Sequence, residues 1–110
     1  MCGIAGIYSS DSGWTPPQEM IQKMCDAIIH RGPDEAGYFM QPGIALGHRR
    51  LSIIDISSGQ QPMVSSDERF ALVFNGEIYN YKALYHDLDI TPVTDSDCEV
   101  IIHLPFILSW

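Results

Sequence analysis

Apolar residues in this sequence arrive in short runs, and glycine, proline or an asparagine–glycine pair cuts each run off. A chain punctuated in this way forms short strands and short helices joined by turns, with no long helix among them. Residues 3–8 read as a buried strand, and their two glycines allow another backbone or a ligand to come close. Residues 9–15 are rich in Ser, Asp and Gly and read as a loop. Pro16 and Pro17 open a helix, since proline is tolerated in a first turn. Met20, Ile21, Met24, Ala27 and Ile28 recur at helical spacing, and Gly32-Pro33 predicts an end near His30. Cys25 lies beside that apolar face and reads as an inert core or boundary thiol.

Beyond the helix, residues 36–40 and 44–47 read as strands around Gln41-Pro42-Gly43, and residues 50–54 as a third. Residues 55–67 are polar and turn-rich. Residues 70–74 read as a buried strand halted by the turn signal Asn75-Gly76, and residues 79–88 as a short helix. Ser96-Asp-Cys-Glu99 fits a capping box, with Ser96 as N-cap and Glu99 at the third helical position. A helix is expected from Asp97 through Leu104. Pro105 is expected to stop it, because an interior proline costs ~3 kcal/mol.

Several function classes are excluded by bulk properties. A length of 110 residues suggests one domain or a piece of one. The formal net charge of −8 argues against a nucleic-acid partner and against anionic membranes. The most apolar run, residues 100–108, contains His103 and Pro105 and falls short of the ~20 residues a membrane span needs. No basic segment precedes an apolar stretch at the N-terminus, so no secretory signal is expected. Cys2, Cys25 and Cys98 form neither a disulfide framework nor a C-x-x-C metal pair. Reduced thiols, a cytoplasmic setting and no bound metal follow as expectations.

Cys2 taken alone reads as an ordinary thiol, and Asn75-Gly76 taken alone as a plain turn. The segments around them change both readings. Met1-Cys-Gly-Ile-Ala-Gly6, His30-Arg-Gly-Pro-Asp34, Leu46-Gly-His-Arg-Arg-Leu-Ser-Ile-Ile-Asp55, Asn75-Gly-Glu-Ile-Tyr-Asn80 and Ser96-Asp-Cys-Glu-Val100 occur in this order. Together they resemble the class II glutamine amidotransferase family, which uses an N-terminal cysteine nucleophile. Within it, the resemblance is to the glutaminase domain of the asparagine-synthetase type. Pro33 and the run Asn75–Asn80 favour that branch over those making phosphoribosylamine or glucosamine 6-phosphate. An inactive truncated fragment stands as a further alternative.

The resemblance implies an α+β fold of the N-terminal-nucleophile hydrolase type, a four-layer α/β/β/α sandwich incomplete in this chain. It covers residues 1–104, the N-terminal part of the domain, and residues 105–110 depart from it as an apolar tail. That ending reads as a truncated, alternatively spliced or frameshifted product. The implied reaction is hydrolysis of glutamine to glutamate, with ammonia delivered for ATP-dependent asparagine synthesis. The glutaminase step implies no cofactor. ATP and Mg imply a C-terminal synthetase domain, for which this sequence shows no nucleotide-binding motif.

Removing Met1 places a thiol and a free amine on Cys2. An α-amino group titrates at about 7.7–8.0, so it can take the thiol proton directly or through a water. The resemblance assigns Asn75 and Gly76 as oxyanion donors, worth ~3–4 kcal/mol each in such sites. It assigns Arg50 to the glutamine α-carboxylate and Asp97 to the α-ammonium. The planar fork of Arg50 suits a carboxylate. Read blandly, Arg50 is a surface charge and Asp97 an acid at a helix N-terminus. Leu51, Ser52, Ile53, Ile54 and Glu77 line the pocket by the same resemblance. His30 and His48 are not assigned to catalysis, since the N-terminal amine already supplies a base. Arg31 and Asp34 are expected to hold their loop near Cys2, and Arg49 receives no role.

Overall fold

The computed structural model describes residues 2–51 and 59–107. In chain order the elements are β1 (Gly3–Tyr8), α1 (Gln18–Ala27), β2 (Glu35–Gln41), β3 (Ile44–Arg50), β4 (Met63–Val64), β5 (Ala71–Leu72), α2 (Tyr81–Asp87) and α3 (Glu99–Ile107). Strands β1, β3 and β2 form one antiparallel sheet in that order, and β4 and β5 form a two-stranded sheet. The architecture is α+β.

The β2–β3 hairpin turns at Pro42-Gly43, where Gly43 takes a φ of 82° that an L-residue rarely adopts. Both strands exceed their sequence expectation, running to Gln41 and Arg50 in continuous register. Arg50 therefore closes β3 and does not open a third strand. Leu51 has no regular structure, and residues 52–58 lie outside the described residues. Strand β1 pairs with β3 from Gly3↔Arg49 to Tyr8↔Ile44. It is not buried throughout as expected: Ile4 and Tyr8 are 50% and 81% exposed. The cause is the alternation of side chains in an edge strand with α1 packed on one face.

Helix α1 packs through Ile21 and Cys25, one turn apart and both fully buried. Gly47 of β3 makes the approach possible. A Cβ there would overlap the Cys25 sulfur and meet Ile21 Cγ1 at 3.1 Å. The expected apolar stripe shifts as a result, with Met20 and Met24 44% and 40% exposed. Pro17 is the N-cap in an extended conformation, so the helix starts at Gln18. It ends at Ala27, ahead of His30, because Ile28 leaves helical geometry and Arg31 and Gly32 donate to the carbonyls of Ile28 and Ile29 in tight turns.

Only residues 71–72 of the expected strand 70–74 pair with β4, and residues 70–74 are half-buried. The hairpin loop is closed by Ser65, whose backbone N–H donates to the Phe70 carbonyl and whose Oγ accepts the Phe70 N–H. The chain then leaves the ladder. The Phe74 N–H goes to the Gln61 side chain and the Phe74 carbonyl to His48, so neither is free for a neighbouring strand.

Helix α3 corrects two expectations. It begins at Glu99, and Ser96 does not act as a side-chain N-cap, its Oγ lying 3.0 Å from Cys98 Sγ. The Glu99 carboxylate instead accepts the N–H groups of Val93 and Thr94 in the preceding loop, and lies 2.9 Å from His103 Nε2 one turn on. Pro105 lies inside the helix, which continues to Ile107. Proline removes one donor, but its fixed φ is itself helical, so a final turn survives. Tyr85 of α2, buried, meets the rings of Tyr81 and His103 edge-on and joins α2 to α3.

Candidate active site

The end of β3, the segment after β5 and the loop ahead of α3 border an open cavity of about 580 Å³. Cys2, just ahead of β1, and Arg50, the last residue of β3, face it. Phe74, Asn75, Gly76 and Glu77 face it from the segment after β5, and Asp95, Ser96 and Asp97 from the loop before α3. Residues separated by up to 95 positions in sequence thus meet around one space. Leu51 adjoins the same wall, its N–H 3.5 Å from Cys2 Sγ. Ser52, Ile53 and Ile54 lie outside the described residues.

Several backbone contacts hold this arrangement. Arg31 Nε donates to the Cys2 carbonyl at 3.2 Å, and the Asp34 N–H donates to the Arg50 carbonyl at 3.1 Å. The loop of residues 30–34 is therefore tied to Cys2 and to β3, as expected. Arg49, given no role by sequence, is buried and donates from Nε to the Gly32 carbonyl at 2.8 Å. Neighbours on a strand face opposite ways, which sends Arg49 under the loop and Arg50 toward the cavity.

Arg50 Nη1 lies 3.4 Å from Glu35 Oε2, its cross-strand partner. The arginine side chain is only 14% exposed, so its fork is held at the cavity wall by a nearby acid. Glu77, Asp95 and Asp97 line the same cavity. The lining thus carries both a guanidinium and carboxylates, the two charges that would meet an amino acid's ionic groups. Asp97 stands ahead of α3, outside the helix expected to include it. Its Oδ2 accepts the Ile78 N–H at 2.6 Å, fixing the segment that follows Asn75-Gly76-Glu77.

His48 is 2% exposed, and its Nε2–H donates to the Phe74 carbonyl at 3.3 Å. Burial lowers its pKa below the usual histidine value, outweighing the carbonyl hydrogen bond, which raises it. His30 is exposed in the turn after α1. Neither ring is among the residues lining the cavity. Burial raises the thiol pKa of both Cys25 and Cys98, keeping these two sulfurs protonated and unreactive.

A pH dependence of stability follows. The unfolded chain protonates His48 at a higher pH than the folded chain, so it binds more protons as pH falls below ~6.5, and stability declines there. Glu99 adds a second loss. Burial would raise its carboxyl, but His103 and the Thr94 and Val93 N–H groups together hold it below the usual value. Its contribution, present above the ordinary carboxylate pKa, disappears as pH falls through the lowered one. Urea unfolding at pH 7.5, 5.5 and 4 is expected to give successively lower midpoints. Equal midpoints at pH 7.5 and 5.5 would contradict the buried neutral His48.

A family model described as "Glutamine amidotransferase domain" matches residues 1–107. The chain belongs to the glutamine amidotransferase domain family. It is 43% identical over 107 residues to asparagine synthetase [glutamine-hydrolyzing] 1 of Bacillus subtilis, covering 93% of this chain and 17% of that relative. It is 40% identical over 105 residues to asparagine synthetase [glutamine-hydrolyzing] 3 of Arabidopsis thaliana, covering 94% and 18%. A probable asparagine synthetase [glutamine-hydrolyzing] of Dictyostelium discoideum is 39% identical over 108 residues, covering 94% and 19%. This amidotransferase chain thus spans less than a fifth of the length of these relatives. It is homologous to their glutaminase part, as the sequence motifs implied.

Among the described residues of this amidotransferase domain, no group of His, Cys, Asp and Glu is placed to hold a metal ion. None of their helices is long and apolar enough to cross a membrane. Sequence reasoning missed Gln61, Glu35 and Arg49. Gln61 fell within a stretch read only as polar and turn-rich, and Glu35 becomes visible only once the hairpin register sets it opposite Arg50.

Proposed function

We propose that this chain is the glutaminase part of an asparagine-synthetase-type amidotransferase, hydrolysing glutamine and releasing ammonia for an ATP-dependent synthetase domain. The supporting observation is the cavity that gathers Cys2, Arg50, Asn75, Gly76, Glu77 and Asp97 from distant segments. With Met1 removed, the Cys2 amine takes the thiol proton and the thiolate attacks the side-chain amide carbon of glutamine. The oxyanion so formed is met by the Asn75 side-chain amide and the Gly76 N–H. Collapse of this intermediate expels ammonia, protonated from the amine. Water then cleaves the thioester, giving glutamate and restoring the thiol.

Arg50 takes the α-carboxylate and Asp97 the α-ammonium, with Glu77 beside it. Glu35 keeps the guanidinium at the wall until the carboxylate arrives. Leu51 and the three residues after it are assigned to glutamine by the resemblance alone. Glutamine hydrolysis needs no cofactor in this scheme. ATP and Mg belong to the synthetase step, with aspartate as ammonia acceptor. Residues 1–104 form the N-terminal part of a four-layer α/β/β/α domain of the N-terminal-nucleophile type, and 105–110 an apolar tail. The setting is cytoplasmic, with no nucleic-acid partner.

The test is an assay of the intact protein. With glutamine alone it should release glutamate. With aspartate, ATP and Mg supplied it should form asparagine in proportion to glutamine consumed. Ammonia transfer to a phosphorylated sugar, with none to aspartate, would overturn the asparagine-synthetase reading.

A further inference from the structure

We propose that Gln61 is a positioning residue for glutamine hydrolysis, its one side-chain amide tying the turn that carries Asn75 and Gly76 to the loop that carries Asp97. The proposal rests on the site reading above. Gln61 Oε1 accepts the Phe74 N–H at 2.5 Å, immediately before Asn75. Its Nε2 donates to Cys98 Sγ at 3.7 Å, and that sulfur lies 3.0 Å from Ser96 Oγ. Asp97 is the residue between Ser96 and Cys98. A single planar group thus reaches the segment meeting the reacting amide of glutamine and the segment meeting its α-ammonium.

Gln61 is itself placed by close contact. Its backbone carbonyl lies against Gly37 of β2, where any Cβ would overlap it, and Pro62 Cδ lies 3.0 Å from the same point. The strut therefore runs from the three-stranded sheet to both sides of the cavity. The Phe74 peptide is gripped from the other side by His48, and Ile78 beyond the turn by Asp97. The turn of residues 75–77 is thus pinned at both ends, while Asn75, Gly76 and Glu77 stay exposed to the cavity. Oxyanion donors lose effect steeply with displacement, and an error of ~1 Å costs about 100-fold.

Glutamine is chemically suited to the task because its amide carries an acceptor and donors in one plane. Glutamate keeps the acceptor toward Phe74 but brings no donor to Cys98. Methionine keeps the length and loses both. In the intact protein, Q61M should lower kcat for glutamine about 10- to 100-fold and raise KM. Q61E should recover most of kcat while KM stays high, since only the Asp97 side has lost its tie. Iodoacetamide alkylation of Cys2 and the Tm should change little in Q61E. If Q61M does not fold, Q61E decides alone: kcat near wild type with raised KM supports the proposal, and unchanged KM or a fall in kcat beyond tenfold overturns it. A folded Q61M with wild-type kcat and KM overturns it as well. Hydrolysis that persists in Cys2→Ala removes the site reading and this proposal with it. Hydrolysis that depends on Cys2 but ignores Gln61 overturns this proposal alone.

Discussion

Cys2→Ala is expected to bring glutamate release from glutamine down to background, a loss on the order of 10⁴-fold or more. No other sulfur can substitute. Cys25 is fully buried between α1 and Gly47, and Cys98 is 1% exposed beneath the loop before α3. Both thiols are held protonated by burial. Cys2 is partly exposed, faces the cavity, and is the one thiol that can share its residue with a free amine once Met1 is gone. Cys2→Ser is a sharper version. It keeps a nucleophilic atom but exchanges a thiol for a far less acidic hydroxyl, and its activity should also collapse. Cys2 is partly exposed and both replacements are small, so both variants should unfold near the wild-type midpoint. Turnover within tenfold of wild type in Cys2→Ala would refute the assignment.

The second large effect is on glutamine recognition. Arg50→Ala should reduce kcat/KM for glutamine by about 30- to 900-fold, corresponding to the ~2–4 kcal/mol lost when one member of a desolvated charge pair is truncated. The loss should appear chiefly in KM, because the proposed scheme sets Arg50 against the end of the substrate that does not react. Arg50→Lys should rescue only in part, since an ammonium cannot match the two-pronged fork. Asp97 permits a finer separation. Asp97→Asn removes the charge yet keeps an oxygen for the Ile78 N–H, so KM should rise with little change in kcat. Asp97→Ala also frees Ile78, loosening the turn that carries Asn75 and Gly76, and kcat should then fall as well. Steady-state kinetics of the variants supplies the check. Unchanged kcat/KM in both Arg50→Ala and Asp97→Ala would show that the substrate's ionic groups are met elsewhere.

Local punctuation made much of the fold legible. Pro16-Pro17 and Gly32-Pro33 bracket α1, and Pro42-Gly43 marks the hairpin between β2 and β3. Elements whose ends depend on distant groups were not legible. The strand after Phe70 shortens because Gln61 and His48 take the backbone groups of Phe74. The capping pattern at Ser96 misled because Glu99 found better donors at Val93 and Thr94. The site divides similarly. Cys2, Arg50, Asn75, Gly76 and Asp97 were singled out by ordered motifs, and all five line one cavity. Gln61, Arg49 and His48 act on backbone atoms, and any residue type supplies those, so no pairwise sequence pattern announces them. Glu35 needed the strand register before its partner could be named.

The most direct measurement is covalent labelling of the intact protein with an electrophilic glutamine analogue, read by peptide mass spectrometry. Met1 is expected to be absent, the label to sit on Cys2, Cys25 and Cys98 to be unmodified, and excess glutamine to protect. A label on Cys25 or Cys98, or full turnover by a chain that still carries Met1, would contradict the assignment of Cys2.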